Sequence, residues 1–383
     1  MNARRRVLVI TRHFWPATND DTLRLYHWTQ HLVRDGAQVT VATPRWHSSW
    51  PRRLVCDDVV VERIDSPPLH SLRWSSYTRQ FEQWLSRAGE FDVYYCDSPE
   101  AEGDVVLDQA TRQGAPLMVR YHAGPQTASP SARQLNLCRR ASLVVVGSLP
   151  AQQQLLAAGI APRCIWRGPQ VAGARYDRRP EARRTARQVL AEANHDLFAR
   201  GQDRVLVCPG ELTEAWQLPN LLRQLAPLID SHRSLRVWLL GDGRQRHSLY
   251  QALRHDGLHR LVALPGIFTD LEEVLQAADL CLLPAAGIGL GWLLPTCIAS
   301  GLPVLVADSP EARRLLGATP QMMTVSDDEP QAWRQRVGQW LHDPLPLTRH
   351  AAELQRQNPA HSASYLTSQV VFDLQQTCVE RHA

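Results

Sequence analysis

Three short stretches of this chain carry residues whose types and spacing suit binding chemistry. In PAAGIGLGWLLPT, Gly289, Leu290 and Gly291 make a turn just ahead of a helical pattern, with Pro295 in or near its first turn. Backbone amides at a helix start hold anions, and a missing N–H there costs little. In WLLGDGRQRH, Gly241, Asp242 and Gly243 form a tight turn behind an apolar run, and Arg244 and Arg246 are the cations nearest to it. In LMVRYH, His122 closes another apolar run and places a proton carrier at its end. Each has a structural reading as well. GDG is an ordinary strand-to-helix turn, paired glycines serve backbone geometry, and a histidine at a strand end often only packs.

Composition narrows the chemistry. No lysine occurs among the 383 residues, so any site that needs a cation must use arginine or histidine. The 8 cysteines are scattered singly, with no CxxC pair, which argues against a zinc site or a disulfide framework and for buried thiols in a reducing compartment. No metal or cofactor is expected. The net charge of +4 is spread along the chain and does not point to nucleic acid. No apolar run approaches the roughly 20 residues that span a bilayer. The start, MNARRRVLVIT, reads as a first strand rather than a secretion signal, so the expectation is a cytoplasmic protein, peripheral at most to the inner face of the membrane.

These residues must be positioned by alternating elements. Apolar runs at Val7–Thr11, Gln38–Thr43, Val59–Ile64, Val93–Cys96, Leu117–Tyr121 and Leu143–Gly147 alternate with helix-period segments such as Leu23–Asp35. Such a series predicts parallel sheets covered on both faces. The stretch from Arg167 to about Gly201 breaks the rhythm and predicts a linker with a polar helix over Pro180–Asn194. A second series follows at Val205–Cys208, Arg236–Leu240, Leu280–Leu283 and Val304–Ala307. The predicted organisation is an α/β protein with two doubly wound, Rossmann-like domains facing a cleft. Its expected parts are a first domain at 1–167, a linker and polar helix at 168–200, a second domain at 201–345, and C-terminal helices at 346–383 that pack back on the first domain. Ligands of such sheets sit at the carboxyl ends of the strands. The first strand leads into Thr11, Arg12, His13 and Phe14 without a GxGxxG, which disfavours a nicotinamide-binding reading.

The order and spacing of several passages resemble the retaining glycosyltransferases of family 4 (glycosyl transferases group 1), which have the GT-B fold. The passages are His31–Pro44, Ala141–Ile160, Val205–Leu212, Trp238–Leu249, Leu264–Pro284 and the segment Pro284–Val304, which is similar to the family's donor-sugar signature. The resemblance implies a nucleotide-sugar donor, no required metal, and phosphates held by cations and backbone amides. It assigns donor binding to Gly241, Asp242, Gly243, Arg244, Arg246, Pro265, Gly266, Ile267, Ile288, Gly289, Leu290, Gly291 and Thr296. His122 matches the family's histidine near the sugar and acceptor, the candidate catalytic residue.

Family positions that touch the donor are altered here. The family's Gly-Gly loop corresponds to Asn19 and Asp20, its arginine to Glu211, its lysine to Trp216, and its signature glutamates to Ile288 and Thr296. Cations are lost and carboxylates gained around an expected dianion, an exchange that disfavours binding by several kcal/mol in order of magnitude. Two functions follow: a glycosyltransferase acting on an envelope glycan or lipid-linked acceptor, or a catalytically degenerate pseudo-glycosyltransferase serving a partner glycosyltransferase or glycan-assembly complex. A GT-B-fold epimerase fits less well, because no cleft cluster of acids and histidines is visible. Finally, Trp74, Tyr77, Phe81 and Trp84 recur at helical spacing, beside Arg73 and Arg79. They form either a peripheral membrane contact or a face packed on the first domain.

Overall fold

The computed structural model describes residues 5–16, 20–65, 74–97, 100–122, 130–147, 149–166, 177–268, 271–326, 329–357, 371 and 373, without the side chains of Asp20 and Trp74. Contacts divide the chain into two units. One takes in Met1–Phe14, Leu25–Pro169 and Ser362–Ala383, and the other Trp15–Arg24 and Gln170–His361.

The first unit is built from β1 (Arg6–Ile10), α1 (Asp20–Arg34, from Leu25 onward), β2 (Gln38–Arg45), β3 (Arg53–Cys56), β4 (Val59–Asp65), α2 (Trp74–Leu85), β5 (Val93–Cys96), α3 (Ala101–Gln113), β6 (Leu117–Tyr121), α4 (Ala132–Arg140), β7 (Leu143–Val146), α5 (Leu149–Ala157) and β8 (Ile165–Trp166). Its 8-stranded sheet has the order β3-β4-β2-β1-β5-β6-β7-β8. Every pairing is parallel except β3 with β4. The short strands β3 and β8 were not legible as strands. β1, β5 and β6 are buried almost throughout, as strands covered on both faces must be. Tyr77 and Phe81 of α2 fill the same core as Leu8, Tyr94 and Val119, and Trp84 packs against it. Tyr77 and Phe81 of the aromatic face of α2 therefore serve the core, while Arg73 and the Trp74 side chain lie outside the described residues.

The second unit is built from α6 (Pro180–Ala193), β9 (Arg204–Pro209), α7 (Leu218–Ser231), β10 (Leu235–Leu240), α8 (Arg246–His255), β11 (Val262–Gly266), α9 (Glu272–Ala277), β12 (Leu280–Leu283), α10 (Leu293–Ser300), β13 (Val304–Ala307), α11 (Pro310–Leu316), β14 (Thr324–Val325), α12 (Ala332–His342) and α13 (Leu345–Gln357). Its 6-stranded sheet runs β11-β10-β9-β12-β13-β14, with all pairings parallel. The expected pair of doubly wound α/β sheets is what the chain forms.

Two helical segments pack on the second unit's sheet. The polar helix α6 is part of the second unit rather than of a linker. Its Arg187 donates to Asp279 at 2.7 Å, Arg183 donates to the other oxygen of that carboxylate at 2.6 Å, and the Val205 amide adds a bond of 2.8 Å. At the C-terminal end, Leu347, Ala351 and Leu354 of α13 join the second unit's core, and Gln355 donates to the Ala299 carbonyl at 2.9 Å. Beyond Gln357 only Val371 and Asp373 are among the described residues. No described helix is long and apolar enough to cross a membrane.

Candidate functional site

The predicted donor residues cluster at the carboxyl ends of β9, β10 and β12. The loops after β9 and β10 cross at van der Waals contact. Gly241 has φ +115°, and a Cβ there would lie 1.7 Å from the Gly210 carbonyl oxygen. A Cβ on Gly243 would lie 2.4 Å from the Leu212 oxygen. Only glycine fits such approaches, so these glycines answer a backbone requirement. The crossing is closed by bonds from Gly241 N to Gly266 O at 2.7 Å, Leu212 N to Asp242 O at 3.0 Å, and Gln245 N to Leu212 O at 2.8 Å. Asp242 is exposed, and its Oδ1 accepts the Gly243 amide at 2.8 Å.

The altered positions sit on this crossing. Trp216 is buried, with its indole against Gly210: a Cβ on that glycine would come 2.3 Å from Cζ2. Where the family resemblance puts a flexible cation, the chain has a fixed apolar plate. Glu211 is half-buried, and its carboxylate has no hydrogen-bond or ion-pair partner among the described residues. Asn19 and the Asp20 side chain lie outside the described residues.

The turn after β12 keeps its geometry. Gly287 and Gly289 have φ +77° and +76°. The Ile288 amide donates to Ala285 O at 3.2 Å, and the Leu294 amide to Gly289 O at 2.8 Å. The side chains turn inward. Ile288 packs on the core, Leu290 is buried, and Gly291 is half-buried. Thr296 is 0% exposed, and its Oγ1 has no partner among the described residues. In this conformation the hydroxyl is sealed from solvent, so contact with a ribose requires the turn to move.

The remaining predicted residues divide. Pro265 and Gly266 are half-buried at the end of β11, where the register slips against β10, and Ile267 is exposed. Arg246 donates to Leu264 O at 2.9 Å and Gly241 O at 3.4 Å, so much of its guanidinium is engaged in holding the crossing. Arg244 is exposed and makes no ion pair among the described residues. Both line a cavity of about 940 Å³ along β11, together with Arg236, His247, Tyr250 and Arg260. Sequence reading passed over this cavity. The signal available to it was the density of basic residues from Arg244 to Arg260.

His122 belongs to the first unit. It is exposed and directly follows β6, while residues 123–129 lie outside the described residues. Beside it, Arg120 is buried 3.9 Å from Asp97. At the end of β1, Arg12 grips the buried Glu102 with both carboxylate oxygens, at 2.7 and 3.1 Å. That bidentate pair fixes the start of α3 to the loop after β1.

Comparison with known proteins gives this geometry a family. A model of "Glycosyl transferases group 1" matches residues 203–343, and one of "Glycosyl transferase 4-like domain" matches residues 22–165. EpsD of Bacillus subtilis (strain 168), assigned as a glycosyltransferase, is 27% identical over 146 residues, which is 38% of this chain and 38% of that protein's length. Among solved structures, sucrose-phosphate synthase from Thermosynechococcus elongatus superposes with a TM-score of 0.68 at 14% identity, covering 97% of this chain and 99% of the other. HepE of Anabaena, solved with UDP and glucose, gives 0.66 at 17% identity, covering 96% and 98%. With both matched domains in this order on these two sheets, the chain belongs to the group 1, family 4-like glycosyltransferases of GT-B fold.

Proposed function

We propose that the chain binds a nucleotide sugar at the carboxyl ends of β9, β10 and β12. It transfers the sugar, with retention, to an envelope glycan or a lipid-linked acceptor. The observation that carries this reading is the preserved backbone: the close Gly210–Gly241 crossing and the left-handed turn at Gly289 hold their shape whatever side chains surround them. Amides held rigidly around a leaving diphosphate stabilise its growing charge without reorganisation. Arg244, which has no ion pair among the described residues, is the cation nearest to this crossing in sequence. By the family resemblance, His122 is the residue assigned to the transferred sugar and acceptor hydroxyl. The fold neighbour HepE, solved with UDP and glucose, supports a nucleotide-sugar donor.

A second reading, a degenerate subunit working beside an active glycosyltransferase, is favoured by the donor positions themselves. Glu211 adds an unpaired carboxylate, Trp216 is a buried plate, and Ile288 and Thr296 present nothing polar to the surface. Transfer or hydrolysis assayed with radiolabelled nucleotide sugars separates the two. The enzyme reading predicts turnover that is lost in His122→Ala and Gly289→Trp. Absence of turnover with every UDP-, GDP-, ADP- and dTDP-sugar supports the degenerate subunit.

A further inference from the structure

We propose that the cavity along β11 binds an anionic saccharide beside the donor loops, with which it shares Arg244 and Arg246. Its volume, about 940 Å³, suits a ligand of a few sugar rings. Its charge is one-sided: Arg236, Arg244, Arg246 and Arg260 line it, with Asp196 the one carboxylate facing them in the lining. These arginines are not equivalent. Arg236 is engaged by Asp203 at 3.3 Å, and Arg246 by backbone carbonyls. Arg244 and Arg260 are exposed and make no ion pair or hydrogen bond among the described residues. They are the cations left for a ligand, and a carboxylate or phosphate is what a guanidinium fork accepts best.

Aromatic rings in the lining narrow the class. Phe198 and Tyr250, 49% and 46% exposed, line this one cavity, Phe198 stacked on His195 and Tyr250 beneath Arg254. A simple ion has no use for them, whereas the apolar C–H face of a pyranose packs on such rings. Trp238 supplies an independent sign. It lines the cavity, is 1% exposed, and its buried indole N–H has no acceptor among the described residues. A buried donor left without an acceptor marks a place where a ligand or water belongs. The recessed shape suits a short chain segment rather than a flat bilayer. The cavity shares Gly243, Arg244 and Arg246 with the proposed donor loops, whereas Phe198, Trp238, Tyr250 and Arg260 belong to it alone.

Isothermal titration with a short oligogalacturonate, a neutral cello-oligosaccharide and inorganic phosphate tests the proposal. The oligogalacturonate should bind one per chain, more weakly as salt rises. Arg260→Gln should weaken it about tenfold, as loss of a charged hydrogen bond does. Tyr250→Ala should weaken it about fivefold, the scale of a lost ring contact. Phosphate binding should be far weaker and indifferent to Tyr250→Ala. Both side chains are exposed, and thermal melts of the variants should match the parent. Failure of the oligogalacturonate to bind, equal binding of the neutral sugar, or binding untouched by both substitutions would overturn the proposal. So would phosphate binding as tightly as the sugar acid.

Discussion

The indole of Trp216 rests on Gly210 so closely that an added Cβ would fall 2.3 Å from Cζ2. The contact joins the end of β9 to the turn that starts α7, and it occupies the position where the family resemblance places a lysine. Gly210→Ala should push the ring out of its seat. Overpacking of this kind costs about 1–3 kcal/mol. Urea unfolding should show the loss, and Gly210→Ala/Trp216→Leu should recover part of it.

Gly241 faces backbone rather than a side chain. With φ +115° and a Cβ that would fall 1.7 Å from Gly210 O, Gly241→Ala has no rotamer that relieves the clash. Gly36, with φ +93° and open space around it, provides the control. Gly36→Ala should cost about 1 kcal/mol from left-handed strain alone. Gly241→Ala should cost clearly more, about 3 kcal/mol or above. Equal denaturation midpoints for the two variants would contradict the crossing.

One carboxylate anchors the polar side of α6, whose Ala186 and Leu190 are buried in the second unit's core. Asp279 receives Arg187, Arg183 and the Val205 amide, and it is buried together with Arg187. Removing one member of such a pair leaves the other charged and unpaired, at a cost of about 3–5 kcal/mol. Asp279→Ala should therefore destabilise the protein more than Arg184→Ala, an exposed pair on the same helix. Chemical denaturation of the two variants provides the measurement.

Stability should fall in mild acid through His27. Burial is the main cause that pushes its pKa down to about 4, with the charges of His31 and Arg34 adding to the effect. An unfolded histidine titrates near 6.5, so between these values the unfolded chain binds the extra proton. Stability is full above about pH 6.5, declines toward about pH 4, and is flat in this respect below that. The ceiling is about 3 kcal/mol. His27→Leu should flatten this part of a pH series of urea midpoints.

Much of the fold was legible because buried parallel strands leave uninterrupted apolar runs. β1, β5, β6, β9 and β12 announce themselves in this way. β11 is absent from the predicted strands: Pro265 and Gly266 interrupt its apolar run, and the register slip that accommodates them is a tertiary event. α6 was legible as a helix but not as part of the second unit, because only Ala186 and Leu190 form its apolar contact and arginines supply the rest. At the candidate site, Gly241 and Gly289 were legible as turns, but the sequence held no sign that Trp216 is buried or that Thr296 is sealed. The β11 cavity draws on residues from His195 to Leu264, brought together only by the packing of α8 and the preceding loop around the sheet edge.

The most direct test of the account is calorimetric titration of the wild-type chain and Glu211→Arg with UDP-, GDP-, ADP- and dTDP-sugars. The account predicts that one of these donors binds the wild type. It also predicts that Glu211→Arg tightens that donor by about tenfold or more, since a like charge is exchanged for an opposite one beside the diphosphate. Binding of none of the donors by either protein would contradict it.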